Sequence, residues 1–295
     1  MFWILKKGMK FLEGYYNIKE IVEQYVAGCK KKTGMSKKRV VGRAFIAGMM
    51  IALGAGISSV AAHTIKDVGL ARLAAAVVFP VGLMMVILLG AELFTGDCLF
   101  SLSVFEGKQR VRDFVRLLTL VYIGNFIGAA MIAVMIFMTG QWDYSSGMLG
   151  AYTIKVALSK VNLSFTQAFV SGILCNILVC AAVLMVMSSK DATGKLWATF
   201  FVIMLFVIGG FEHCVANMYY ITAGLLAKTN LVYSNMAMDV YGFSQEYLST
   251  LNLKNFLITN MVPVTLGNII GGTFFMGAPI YYFNRRRVKP EDQNK

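Results

Sequence analysis

Two short polar clusters interrupt long apolar stretches, and they hold the residues best suited to chemistry. The first is "GAELFTGDCLF", which carries Gly90, Glu92, Thr95, Gly96 and Asp97. The second is "GGFEHCVANMYY", which carries Gly209, Gly210, Glu212, His213 and Asn217. An acid near the centre of a membrane helix costs about 2.5–3.5 kcal/mol or more on insertion. A break in the helix avoids that cost if the irregular backbone faces the protein interior. The first break is expected at residues 93–96; a plain helix end with a polar cap is the alternative. Broken half-helices direct their N-terminal N–H groups, and the positive dipole end, inwards. That field favours an anion. His213 adds a donor, and a cation when protonated, and Thr95 adds a hydroxyl on the facing loop. A lone histidine is otherwise a satisfied core residue. Glu212 reads as a pin for the loop backbone rather than a group that touches substrate. No acidic ring of the kind that selects cations is present.

The elements that position these clusters follow from composition. The chain has 295 residues, 57% of them hydrophobic, and a mean hydropathy of +0.65. Only 15% is charged, against about 25% in a typical soluble domain. Six uncharged apolar stretches, at approximately 44–62, 73–91, 117–138, 165–188, 196–211 (continuing to 227) and 255–283, each approach the ~20 residues that a spanning helix needs. The net charge of +13 sits mainly beside these spans, in Lys30, Lys31, Lys32, Lys37, Lys38, Arg39 and Arg43 and in Arg285, Arg286, Arg287 and Lys289. This is a positive-inside pattern, not a nucleic-acid surface. Lys108, Arg110, Arg112 and Arg116 place 106–116 on the same side, with Lys190 and Lys195. Both termini are therefore expected in the cytoplasm, across a plasma membrane. The expected organisation is an amphipathic cytoplasmic segment (1–40), a single six-helix channel domain (41–288) and a cytoplasmic tail (289–295). Residues 4–32 read as a helix with a stripe of Phe11, Tyr15, Ile18, Ile21, Val22 and Tyr25, lying on the membrane face or against a neighbouring subunit; a mobile basic arm is the plainer reading. The five cysteines show no CxxC spacing and read as buried small hydrophobes. No metal, cofactor or secretory signal is expected.

The sequence also repeats itself. "AFIAGMMIAL" (44–53) resembles "AFVSGILCNIL" (168–178), "ILLGAEL" (87–93) resembles "FVIGGFEH" (206–213), and "IGNFIGA" (123–129) resembles "LGNIIGG" (266–272). The order is the same in both halves. Three spans per half give the halves opposite polarity, which places a permeation site between broken helices near the midplane. The third and sixth spans carry GxxxG, for close helix packing. Within them, Asn125 and Asn268 read either as interhelical glue or as partners for a carbonyl exposed at a break.

Five motifs, "GAELFTGDCL", "GNFIGA", "GILCNILVC", "GFEHCVANMY" and "VPVTLGNIIGG", occur in an order that resembles the formate–nitrite transporter family over about residues 20–287. The resemblance implies an all-α membrane protein with an aquaporin-like fold. It implies six transmembrane helices in two inverted three-helix repeats, helices 2 and 5 broken, assembled as a homopentamer. It also implies roles for particular residues. Phe79 and Phe206 match an outer apolar constriction; Leu83 and Leu93 match an inner one, with Val179 beside them. Thr95 and His213 match the central polar pair. Lys160 matches a lysine of the outer vestibule, and Asn176, Glu212, Asn217 and Asn268 match polar residues around the site. The segment "LSKVNLSF" around Lys160 lacks the adjacent histidines of some relatives. Without the resemblance, the apolar residues read as packing and Lys160 as a solvated loop lysine.

A bare anion crosses dry constrictions only at great desolvation cost. The expected function is therefore proton-coupled movement of a small monovalent anion, formate first, with nitrite, hydrosulfide or short carboxylates next. Lys160 would concentrate the anion, which would pass the rings as the neutral acid; crossing as the charged ion, stabilised by His213 and loop N–H groups, is the other route. A hydrosulfide- or nitrite-selective channel of the same fold is the alternative. Remoter readings are an aquaporin-type channel for neutral solutes, whose paired Asn-Pro-Ala signatures are missing, and an intramembrane hydrolase built on Ser58 ("GISS") and His213.

Overall fold

The structure, a computed structural model, describes residues 14–284. The expectations for Phe11 and residues 4–13, for Arg285 to Arg287, and for the 289–295 tail lie outside the described residues.

Helix α1 (Ile18–Thr33) precedes the spans. The first half then runs through α2 (Lys37–Ala62), α3 (Val68–Leu88), α4 (Phe94–Phe105) and α5 (Val111–Met138). Helix α6 (Met148–Val161) connects to the second half, which comprises α7 (Phe165–Ser188), α8 (Ala192–Gly209) and α9 (Cys214–Lys228). After α10 (Leu231–Tyr241) and α11 (Gln245–Ser249), the chain ends its described course in α12 (Asn255–Asn284). Six of these helices, α2, α3, α5, α7, α8 and α12, are long and apolar enough to cross a membrane. Helices α4 and α9 are the second halves of the two interrupted spans. Among the described residues there is no β-strand, only an isolated bridge between Tyr15 and Ser189.

Local sequence explains these boundaries. Asn17 caps α1 and forms a reciprocal capping box with Glu20, and Lys30, Lys31 and Lys32 occupy its last turn, where cations complement the helix dipole. Ser36, Asp67, Ser164 and Asp191 cap α2, α3, α7 and α8 through their side-chain oxygens. Pro80 lacks the N–H that would continue the ladder of α3, so the helix is interrupted at Phe79. Helix α12 contains two π-helical turns, Asn255–Met261 and Gly271–Gly277.

Helix α1 departs from expectation. Its buried face, Ile21, Val22, Tyr25 and Cys29, is covered by its own chain rather than by lipid or a neighbour. The Tyr25 hydroxyl donates to the carbonyl of Gly96 at 3.2 Å, on α4. Tyr16 N–H donates to Ser188 O at 2.7 Å, at the end of α7.

The two halves pack by one rule. A Cβ added at Gly124 or Gly128 of α5 would lie 2.7 Å from Val41 O or 2.1 Å from Phe45 O of α2. At Gly267 or Gly271 of α12 it would lie 2.1 Å from Phe169 O or 2.5 Å from Ile173 O of α7. Backbone therefore meets backbone at both GxxxG seams. This pairing matches Ala44 with Gly172, whereas the sequence match had aligned Ala44 with Ala168. A slip of four residues is about one helical turn, so it leaves the pattern of small and apolar residues on the same face, and sequence similarity alone does not register it.

Gly267→Ala is expected to abolish or strongly reduce folded protein, because the obstructing atom is backbone. Gly42→Ala, in α2 with nothing within 4 Å of the added carbon, should leave the yield unchanged. Size-exclusion profiles of the two variants in detergent check this.

Candidate functional site

Each interruption is held by one asparagine. The first occupies residues 89–93, between α3 and α4, upstream of the expected 93–96; Thr95 and Gly96 lie inside α4. Gly90 takes φ +62° there, and Gly210 takes φ +66° in the second interruption, conformations that favour glycine. Asn125 Oδ1 accepts from Phe94 N–H at 3.0 Å, and its Nδ2 donates to Glu92 O at 3.0 Å and Ala44 O at 2.7 Å. Asn268 repeats the arrangement. Its Oδ1 accepts from Cys214 N–H at 2.9 Å, and its Nδ2 donates to Glu212 O at 3.0 Å and Gly172 O at 2.8 Å. The two readings of these asparagines thus combine: each glues helices together and satisfies a break. Asn176 lies one step further out and donates to the backbone carbonyl of Asn268 at 2.6 Å.

The breaks bring the two central residues together. Thr95 Oγ1 lies 3.0 Å from His213 Nε2, with both residues buried. His213 is also the N-cap of α9, its Nδ1 accepting from Ala216 N–H at 3.2 Å. With Nδ1 engaged as an acceptor, the hydrogen bonding assigns the ring proton to Nε2, which donates to Thr95. Protonating Nδ1 would forfeit the cap. The half-helix N–H groups are also less open than expected, because those of Phe94, Cys214 and Ala216 are taken by Asn125, Asn268 and His213.

Aromatic rings stand beside His213. The Phe79 and Phe206 rings meet edge-to-face with centroids 5.6 Å apart, and the Phe206 ring lies 5.8 Å from that of His213. Leu83, Leu93 and Val179 are all buried. On one side of the phenylalanines opens a cavity of about 220 Å³, bounded by Phe79, Phe206, His213, Lys160, Tyr152 and Arg72 among others. Lys160 reaches it from the last turn of α6, not from a loop. Its ammonium donates to Glu212 Oε1 at 2.9 Å and lies 5.3 Å from the centroid of the Tyr220 ring. The other Glu212 oxygen accepts from Asn217 Nδ2 at 2.6 Å. Asn260, in the first π-helical turn, joins Lys160 O (2.9 Å) and Asn217 (2.9 Å) to this cluster. Glu212 therefore anchors Lys160 and α9 as well as its own loop.

The opposite end holds a counterpart in Lys32, one of the basic residues that precede the first span. The offset that carries Ala44 onto Gly172 also carries Lys32 onto Lys160, and the offset from Glu92 to Glu212 carries Asp97 onto Asn217. Lys32 Nζ lies 2.6 Å from Glu92 Oε2 and also pairs with Asp97. Burial alone would push the Lys32 ammonium down, but Asp97 and Glu92 outweigh it and hold it above the ordinary lysine range. Arg43 adds a contact of 3.6 Å to Glu92 and donates to Gly90 O. The structural register of the repeat would have revealed Lys32; the sequence match, one turn out, concealed it. Asn260 and Arg72 gave no sequence signal.

Ser58 and His213 both line the 220 Å³ cavity, but they are differently engaged. The Ser58 hydroxyl bonds Ala55 O at 2.7 Å and faces Tyr220 OH at 3.2 Å, while both His213 nitrogens face Thr95 and Ala216 N. Among the described residues no group of three or more His, Cys, Asp or Glu is placed to hold a metal ion.

Comparison with known proteins agrees with this architecture. The family model for "Formate/nitrite transporter" matches residues 19–282. The formate channel FocA of Haemophilus influenzae is 38% identical over 212 residues, covering 71% of this chain and 73% of its own. A solved structure described as a pentameric formate channel with formate bound superposes with a TM-score of 0.74 at 31% identity, over 84% of this chain and 97% of the other. The aquaglyceroporin of Plasmodium falciparum, 13% identical, superposes with a TM-score of 0.51 over 84% of this chain and the whole of its own, and that likeness is one of fold.

Asn268→Ala would leave Cys214 N–H, Glu212 O and Gly172 O without their side-chain partner. At about 1–3 kcal/mol for each buried group so exposed, we expect a loss of at least about 3 kcal/mol, read as a clear drop in thermal midpoint in detergent. Asn268→Asp, which keeps the acceptor but faces a buried carboxyl group to the Glu212 and Gly172 carbonyls, should lose at least as much.

Proposed function

The chain belongs to the formate/nitrite transporter family, and on that premise we propose that it moves small monovalent anions, formate first among them, through a pore within each protomer. The observation that carries the proposal is a run of contacts. A cavity of about 220 Å³ is lined by Arg72, Lys160, Phe79, Phe206 and His213, and from its wall His213 reaches the buried Thr95 at 3.0 Å. Leu83, Leu93 and Val179 form the apolar boundary beyond that pair, and the cluster of Lys32, Glu92 and Asp97 stands towards the opposite face. Homopentameric assembly, a plasma-membrane location and cytoplasmic termini belong to the same proposal. The cytoplasmic segment (1–40), the channel domain (41–288) and the tail (289–295) are its working divisions, although α2 already begins at Lys37.

The neutral-acid route suits this arrangement better than passage of the bare ion. Desolvating a charge between apolar rings costs many kcal/mol, and only a hydroxyl and one imidazole N–H face the pinch. Capping by Asn125, Asn268 and His213 takes N–H groups that a charged guest would need. A neutral acid needs only one or two hydrogen bonds there, which the Thr95 hydroxyl supplies, together with His213 Nε2–H once the acid replaces Thr95 as its acceptor. Lys160, paired with Glu212 and kept in place with Asn217 and Asn260, meets the anion beside the phenylalanines as a hydrogen-bond donor. The proton comes from the water of the vestibule, so uptake should quicken as outside pH falls. His213, neutral and used as a cap, acts as a donor of hydrogen bonds rather than as a fixed cation.

Reconstituted protein should take up formate with about one proton for each anion, followed by an entrapped pH dye. Formate entry without any change in internal pH would overturn the neutral-acid route. His213→Phe removes both the donor and the cap, and should abolish or strongly alter flux. A panel of nitrite, hydrosulfide, acetate and lactate ranks the remaining substrates, and swelling assays with glycerol test the neutral-solute alternative.

A further inference from the structure

The charged side chains that line the outer cavity are Arg72, Lys160 and Glu212. Lys160 and Glu212 are paired at 2.9 Å and cancel, so the net positive charge of the lining resides on Arg72. This arginine makes no ion pair with a carboxylate among the described residues. It is exposed, near the start of α3. One guanidinium nitrogen, Nη1, donates to Ile208 O at 3.1 Å, at the end of α8.

A second observation shows that the fold makes room for this group. A Cβ built on Gly210 would lie 2.8 Å from Arg72 Nη1, 3.3 Å from Cζ and 3.4 Å from Nη2. The guanidinium is therefore seated against the left-handed glycine that opens the second interruption (φ +66°). Anchored through Nη1, it keeps Nη2 and Nε as further donors, and the residue lines the cavity. The planar fork of a guanidinium matches a planar anion that offers two oxygens side by side, and holds it with two parallel bonds. A single-atom anion uses the charge but not the fork.

We propose that Arg72 is the capture residue of the outer vestibule and selects planar two-oxygen monovalent anions, such as carboxylates and nitrite, over anions with a single heavy atom, such as hydrosulfide or chloride. The inference rests on the transport reading above and deepens it: Arg72 takes the anion first, and Lys160, already neutralised by Glu212, receives it nearer the phenylalanines.

Two measurements test this. In detergent, the intact protein should broaden the resonance of ¹³C-formate, with nitrite competing well and chloride poorly. Arg72→Gln should abolish the broadening. Arg72→Lys, which keeps charge without the fork, should bind weakly and lose the preference for nitrite over chloride. Gly210→Ala, which displaces the guanidinium without changing charge, should behave like Arg72→Lys. In proteoliposomes, Arg72→Gln should raise the KM for formate about tenfold with little change in maximal rate. Unchanged broadening in Arg72→Gln, or equal loss of nitrite and chloride competition in Arg72→Lys, would overturn the proposal. So would a fall in maximal rate without a change in KM, which is the signature of a purely structural tie to Ile208. Wild-type protein that binds formate but does not carry it would sink the transport reading and leave Arg72 standing as a binding residue.

Discussion

Backbone amides within an apolar slab must find partners inside the protein, since neither lipid nor the packed interior supplies them. Residues 89–93 and 210–213 leave the helical ladder in such a place, and the structure answers the demand twice with the same side chain. Asn125 and Asn268 each offer one acceptor and two donors, and each uses all three across a break and onto the adjoining helix. Nothing smaller does this, and nothing larger fits beside glycine seams where backbones are in contact. The GxxxG seams and the asparagines are therefore one device. The glycines bring α5 onto α2 and α12 onto α7, and that approach puts the amides within reach of the breaks.

From that device the site follows. With α4 and α9 fixed end to end, Thr95 and His213 face one another at 3.0 Å, and a histidine that caps its own helix has its tautomer chosen by the fold. The flanking lysines are likewise bound to the interruptions, Lys160 through Glu212 and Lys32 through Glu92. The symmetry is incomplete, and the differences are chemical. Asp97 stands where the other half has Asn217, and Leu117 where it has Asn260. Glu212 is therefore buttressed by neutral amides, while Glu92 shares its lysine with a second carboxylate. Two related halves thus present different electrostatics to the two faces of the membrane.

Much of this was legible in the sequence. Apolar length and lysine placement delimit the six spans to within a few residues at most ends, and acids flanked by glycine mark the interruptions. Three things were hidden, each for a physical reason. The first interruption lies nearer α3 than expected, because Gly90 in its left-handed conformation ends the helix before the polar residues that drew attention. The register of α2 against α7 was a turn out, since helical periodicity makes a four-residue slip nearly invisible. With the register went Lys32, which looked like one more cytoplasmic charge and is instead held by two buried carboxylates. Helix α1 showed an amphipathic stripe, but a stripe does not say what covers it; here Ile21, Val22 and Tyr25 are buried within the same chain, while Tyr15 and Ile18 stay exposed.

The central claim is that two asparagine-clamped breaks create a single passage whose narrowest polar point is Thr95 with His213. An electron cryo-microscopy map of the protein in lipid nanodiscs with formate tests it most directly. The account predicts both amides bonded to their breaks and permeant density confined to the line from the Arg72 cavity past His213. Helices continuous through residues 89–93 and 210–213, or density for the anion on a path that avoids His213, would contradict it.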